Sequence, residues 1–109
     1  WEDYVKDIAE LGKKWDVVFR QSHLPYYDIF ADNDEEKVKI MEELIRRSII
    51  ASAELGVEWT VTHPGTVYSA GPDMNISLEH NLEYYSKHIR TAREVPLRPL
   101  PEDILRQRA

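Results

Sequence analysis

Two histidines close the two most strand-like segments of this 109-residue chain, each beside a proline-marked turn. His23 lies in Gln21-Ser22-His23-Leu24-Pro25-Tyr26-Tyr27, and His63 in Thr60-Val61-Thr62-His63-Pro64-Gly65-Thr66. An imidazole can ligate a divalent metal or pass a proton near neutral pH. In an open parallel α/β sheet, ligands bind beyond the carboxyl ends of the strands. Two imidazoles delivered there by neighbouring strands can therefore meet at one site. Gln21 lies one step inside His23 on the same face, where it can hydrogen-bond a hydroxyl or simply satisfy the interior. Tyr26 and Tyr27 can stack on a ring or pack the loop against the rim. Two nitrogen ligands do not by themselves make a catalytic zinc site, which needs three protein ligands and an open position. Asp28 is the nearest carboxylate after His23, but the sequence places no third ligand beside the pair. Two hydrogen-bonded histidines at strand ends are the plain alternative.

The elements that must position these side chains follow from periodicity. Residues 2–11 read as a helix, with Val5, Ile8 and Leu11 on one apolar face and Gly12 at the position of a left-handed C-cap. Residues 15–23 read as a strand in which Trp15, Val17 and Phe19 share a parity with Gln21 and His23, so His23 is expected to point where the core points. A loop over 24–34 ends in Asp32-Asn33-Asp34, which offers N-cap oxygens. Residues 35–55 form the clearest helix, with Met41, Leu44, Ile45, Ile49 and Ala53 at helical spacing and Gly56 after it. Glu42–Arg46 and Glu43–Arg47 are expected as i,i+4 pairs on its solvated side.

Residues 57–63 read as the second strand. Val57, Trp59, Val61 and His63 share one parity, and Glu58, Thr60 and Thr62 the other. That second face is more polar than a sheet covered on both sides requires. Gly65 is expected to serve the turn after His63. Residues 77–93 read as a third helix with Leu78, Leu82, Tyr85, Ile89 and Ala92 on its packing face, His80 and His88 at the surface, and Asn75 or Ser77 as its cap.

Ala9-Glu10-Leu11-Gly12 recurs as Ala53-Glu54-Leu55-Gly56, each copy closing a helix before a strand that ends in His. At a third helix end, Ala92-Arg93-Glu94, the pattern breaks. Val95-Pro96-Leu97-Arg98-Pro99-Leu100-Pro101 cannot form a central strand, and a short helix is expected from Pro101. The order is thus α-β-α-β-α with a Pro-rich tail over 95–109, and the fold class is α/β with parallel strands. A βα repeat of this length builds (β/α)₈ TIM barrels, which need about 250 residues. This chain supplies roughly two of the eight strands. Two strands leave open edges and an uncovered inner face, so a homo-oligomer or the remainder of a longer barrel is expected to complete the sheet. The first residue is Trp1, which reads as a processed chain or a piece of something longer.

Residues 1–94 resemble part of a barrel of the sugar phosphate isomerase/epimerase family, the xylose isomerase-like superfamily that also includes endonuclease IV-type enzymes. The features that carry the resemblance are a strand ending in His-x-Pro with aromatics after it, a long helix closing in Ala-Glu-Leu-Gly, and a strand ending in His-Pro-Gly-Thr, in that order. The resemblance implies a barrel mouth that binds a divalent metal (Mn, Mg, Co or Zn) and a small sugar or sugar phosphate. It implies isomerase or epimerase chemistry by proton transfer next to a carbonyl. In that branch His23, His63, Gln21 and Tyr26 would line the substrate pocket. The branch's metal ligands come from later strands without counterparts here. In the endonuclease branch His23 and His63 would be zinc ligands of a phosphodiesterase acting on abasic DNA. No catalytic residue is assigned in either branch. A non-catalytic barrel fragment that self-associates is the third reading.

Composition narrows the choice. The formal charge of −6 argues against a general nucleic-acid surface. The absence of cysteine excludes disulfides and thiolate metal sites. No apolar run approaches the roughly 18 residues of a membrane span, and no signal peptide is visible, so a soluble cytoplasmic protein is the default expectation. Asn75-Ile76-Ser77 matches a glycosylation acceptor but reads better as a helix start.

Overall fold

The structure, a computed structural model, describes residues 1–95 apart from positions 29, 32, 68–70 and 72. The elements are α1 (Glu2–Lys14), β1 (Gln21–His23), α2 (Glu35–Glu54), β2 (Trp59–Val61) and α3 (Met74–Glu94). β1 and β2 pair in parallel across α2, giving one α/β layer arrangement. The expected Pro-rich tail and terminal helix lie outside the described residues. Among the described residues no helix is long and apolar enough to cross a membrane.

The internal repeat survives in space, displaced by one helical turn. α2 ends as expected: Gly56 takes a left-handed φ of 75°, and the Val57 N–H donates to Ser52 O at 2.9 Å. α1 ends in the same motif, but not at Gly12. Asp16 holds the left-handed φ of 53°, and the Val17 N–H donates to Gly12 O at 2.8 Å. Gly12 is instead buried inside α1 because Phe19 lies over it; a Cβ there would sit 2.7 Å from Phe19 Cε2. Counted from the left-handed residue, both histidines come seven residues later (16 to 23, 56 to 63).

Helix starts follow carboxylate caps. Asp34 accepts from the N–H groups of Glu36 and Lys37 at 3.1 and 3.2 Å, satisfying donors that the first turn leaves free. Asp73 does the same for Ile76 at 3.0 Å. α3 therefore begins before the expected caps Asn75 and Ser77, and Ser77 is buried in its first turn. On α2, Glu43 binds both Arg46 (2.8 Å) and Arg47 (2.9 Å), so Arg46 pairs at i,i+3 rather than with Glu42. These two guanidinium groups hold the Glu43 carboxyl down to about 2.

The strands are shorter than the alternation suggested, and their faces are inverted. The ladder covers three residues a side, Gln21 opposite Trp59, Ser22 opposite Thr60 and His23 opposite Val61. Trp15 and Val17 are exposed and belong to the end of α1, not to a strand. The polar parity faces α2: the Ser22 hydroxyl lies 2.8 Å from those of both Ser52 and Thr60. Of the parity expected to face the core, Val57 is buried just before β2, but within the ladder that face is open, with Trp59 75% and Val61 37% exposed. The polarity of the Thr60 face is thereby explained, since hydroxyls on strand and helix satisfy one another.

α3 repeats the inversion. Its expected packing stripe is largely outside, with Leu78 and Leu82 each 61% exposed and Ile89 also exposed; only Tyr85 of that stripe packs against the core. The buried positions are Ser77 and Tyr84, with Asn81 and Tyr85 half-buried beside them. The core proper is Leu24, Ile45, Ile49 and Tyr84, with Phe30 and Tyr85 packed against it.

Candidate functional site

β1 and β2 end side by side because they are parallel neighbours, and the register is staggered. His23 lies opposite Val61, two residues before His63. The stagger is bridged by the side chains: His23 Nε2 and His63 Nε2 are 3.0 Å apart, with ring centroids 4.9 Å apart. Both histidines are exposed, on the open side of the sheet rather than in a core.

The hydrogen bonds assign the tautomers. His23 Nδ1 is 2.6 Å from Leu24 O, and a carbonyl only accepts, so Nδ1 carries the proton and donates. The neutral ring then has its lone pair on Nε2. His63 Nε2–H donates to that lone pair across the 3.0 Å gap. In the neutral pair one N–H thus bridges the two imidazoles, and the Leu24 carbonyl selects the Nδ1–H tautomer of His23. Such a carbonyl contact is the usual means of orienting an imidazole for ligation or proton transfer.

Of the other expected site residues, Tyr26 joins the pair and Gln21 lines the same face. Tyr26 stands edge-on to His63 at 4.9 Å and is 75% exposed. Gln21 is exposed opposite Trp59, on the parity of His23. Tyr27 is not brought in; Lys37 Nζ lies over its ring at 5.4 Å, on the α2 side. Asp28 is not a third ligand. Its carboxylate accepts from the N–H groups of Phe30 (3.1 Å) and Thr66 (2.9 Å), tying the loop after β1 to the loop after β2. Among the described residues there is no group of three His, Cys, Asp or Glu placed to hold a metal.

Three residues hold His63 and the backbone after it in place, all from one stripe of α3: Tyr85 and Ser77, expected as a packing residue and a cap, and Asn81, for which the sequence suggests no role. The Tyr85 hydroxyl donates to His63 O. The Asn81 amide accepts from Gly65 N–H at 2.9 Å and donates to Gly65 O at 2.8 Å. The Ser77 hydroxyl accepts from Val67 N–H at 2.9 Å. The backbone leaving β2 thus has its hydrogen bonds supplied by a helix, as buried or half-buried backbone requires. The signal was present as hydrogen-bonding side chains at 77, 81 and 85, an i, i+4, i+8 row. Gly65 takes no positive φ; it is glycine because a Cβ would lie 2.6 Å from Phe30 Cε2 and 2.9 Å from Asp28 Oδ1.

Of the two histidines read as surface residues, His80 is exposed against Phe30, with ring centroids 5.5 Å apart. His88 is half-buried against Tyr84 at 4.4 Å, and burial pushes its pKa below the ordinary value. No known protein family, curated protein or solved structure matches the chain.

Proposed function

We propose that this chain is part of a (β/α)₈ barrel of the sugar isomerase/epimerase kind, with His23 and His63 in the wall of its mouth. One observation carries the reading: two successive helix–strand units bring their terminal imidazoles within 3.0 Å on the open face of a parallel pair. A staggered register is also what closure of a sheet into a barrel demands. In this reading the open face is the barrel interior, Gln21 and Tyr26 contact a sugar or sugar phosphate, and the shared imidazole proton serves transfer beside its carbonyl.

The metal implied by this family meets an incomplete donor set here. Two imidazoles occupy adjacent corners at most, and the described residues supply no group of three ligands. No step through a metal is therefore derived for this chain alone, and its remaining ligands belong to strands supplied from elsewhere. A second reading, a non-catalytic fragment that self-associates, draws on the exposed Trp59, Val61, Leu78 and Leu82. Endonuclease-like cleavage fits less well, because a net charge of −6 opposes DNA.

The purified chain tests these readings through its mass in solution, its bound metal and its turnover of keto-sugars. The barrel reading expects an assembled form that takes up divalent metal, and loss of that uptake when His23 and His63 are both replaced by alanine. A metal-free monomer without epimerase activity sinks it. An assembled, metal-free, inactive form selects the second reading, and nicking of abasic DNA selects the endonuclease branch.

A further inference from the structure

A cleft of about 170 Å³ opens between α2 and α3, and neither His23 nor His63 lines it; its walls are Phe30, Glu42, His80, Glu83, Tyr84 and Lys87. At bulk-water density that volume holds about five or six waters or a small organic molecule. Tyr84 is only 9% exposed, and its buried hydroxyl has no hydrogen-bond partner among the described residues. A buried hydroxyl left unpaired is costly, so its presence calls for a partner. Glu42, half-buried on α2, makes no ion pair or hydrogen bond with the described residues, because Arg46 turns to Glu43. The aromatic rings of Phe30 and Tyr84 meet edge to face at 5.7 Å. Glu83 and Lys87 stand on the exposed rim.

These groups select one chemistry. The two carboxylates against one ammonium leave a formal charge of −1 (−2 + 1), and His80 adds none when neutral. An anion would face both Glu42 and Glu83. A primary ammonium carries positive charge and three N–H donors with no acceptor, matching the carboxylates and the Tyr84 hydroxyl oxygen. Its alkyl part would rest on the aromatic rings, which also attract cations. We propose that this cleft binds a small primary ammonium ion, with Glu42 as its charge partner and Tyr84 as a hydrogen-bond acceptor.

The test is titration of the full chain with n-propylammonium, followed by backbone amide shifts, with n-propanol and propionate as controls. The expected result is a saturable shift confined to Phe30, Glu42 and residues 80–88, absent with both controls. Glu42→Gln and Tyr84→Phe should each weaken binding about tenfold, the loss expected for a hydrogen bond to a charged group. Tyr84→Phe also removes an unpaired hydroxyl, so the variant is expected to fold. Lys87→Met should bind at least as well as the parent. Three results overturn the proposal. The first is no saturable shift, or an equal response to propanol. The second is undiminished binding in both Glu42→Gln and Tyr84→Phe. The third is binding only in Lys87→Met, which assigns the cleft to the chain's own ammonium.

Discussion

The two faces of the β1–β2 pair differ in the opposite sense to a usual half-buried sheet. The face against α2 carries Ser22 and Thr60, joined by hydroxyl contacts of 2.8 Å to each other and, through Ser22, to Ser52. The face away from the helices carries Gln21, His23, Trp59 and Val61, all exposed. α3 shows the same contrast between its inward Ser77, Asn81 and Tyr84 and its outward Leu78 and Leu82. On the covered surfaces the hydrogen-bonded Ser22, Ser52, Ser77 and Asn81 surround a small apolar core, and much of the apolar area is left outside. The polar contacts fix where the β2 loop and the histidine pair sit. In the proposed barrel, the apolar remainder is what further strands and helices cover.

Substitutions can break this contrast, and the largest effect is expected where the covered side is tightest. Gly65→Ala places a Cβ 2.6 Å from Phe30 Cε2 and strains the loop held by Asn81 and Asp28. A destabilisation of about 1–3 kcal/mol is expected in a urea titration, with separation of His63 from His23 visible in imidazole nitrogen shifts. Unchanged stability would show that the loop is not clamped. Ser52→Ala removes the helix hydroxyl beside Ser22 and should cost about 1 kcal/mol. A neutral or stabilising result would mean that the hydroxyl chain does not hold the covered face.

The pH dependence sharpens the same comparison. His88, half-buried on the covered side, is kept below its ordinary pKa by desolvation. The unfolded chain takes up a proton near 6.5 that the folded chain resists. The His88 contribution is therefore fully present above about pH 6.5 and is lost as pH falls from there towards the lower folded value. His88→Gln should flatten that limb of a stability–pH curve, and an unchanged slope would move its origin to another group. The smallest effect on stability is expected on the open face. Trp59→Ser, at a position 75% exposed, should change monomer stability by no more than about 0.5 kcal/mol. If copies or other strands cover that face, the same variant should instead lower the mass measured in solution.

Much of the architecture was legible in the residues. Helical spacing along 35–55, the Gly56 stop and the Asp34 cap are local properties, and local chemistry decides them. The order α-β-α-β-α and the parallel pairing followed from two short alternating runs separated by a long helix. The ends of α1 and the faces were less legible. Gly12 has the right type for a stop, but Phe19, from seven residues on, needs the space above it, and Asp16 tolerates the left-handed turn instead. Parity shows which residues share a face, not which face a helix covers. Here the hydroxyls of Ser52 on α2 and Ser22 on β1 settled it.

The sequence by itself determined the two histidines, their placement at the ends of neighbouring parallel strands and the repeat that puts them there, because repeat and strand period are properties of the chain alone. Only tertiary structure decided that their Nε2 atoms lie 3.0 Å apart and that a carbonyl fixes the tautomer of His23. It alone showed that Asp28, Asn81 and Tyr85 bind backbone around them. Those facts depend on register, stagger and the approach of α3, which arise from contacts between residues 16 to 40 positions apart in the chain.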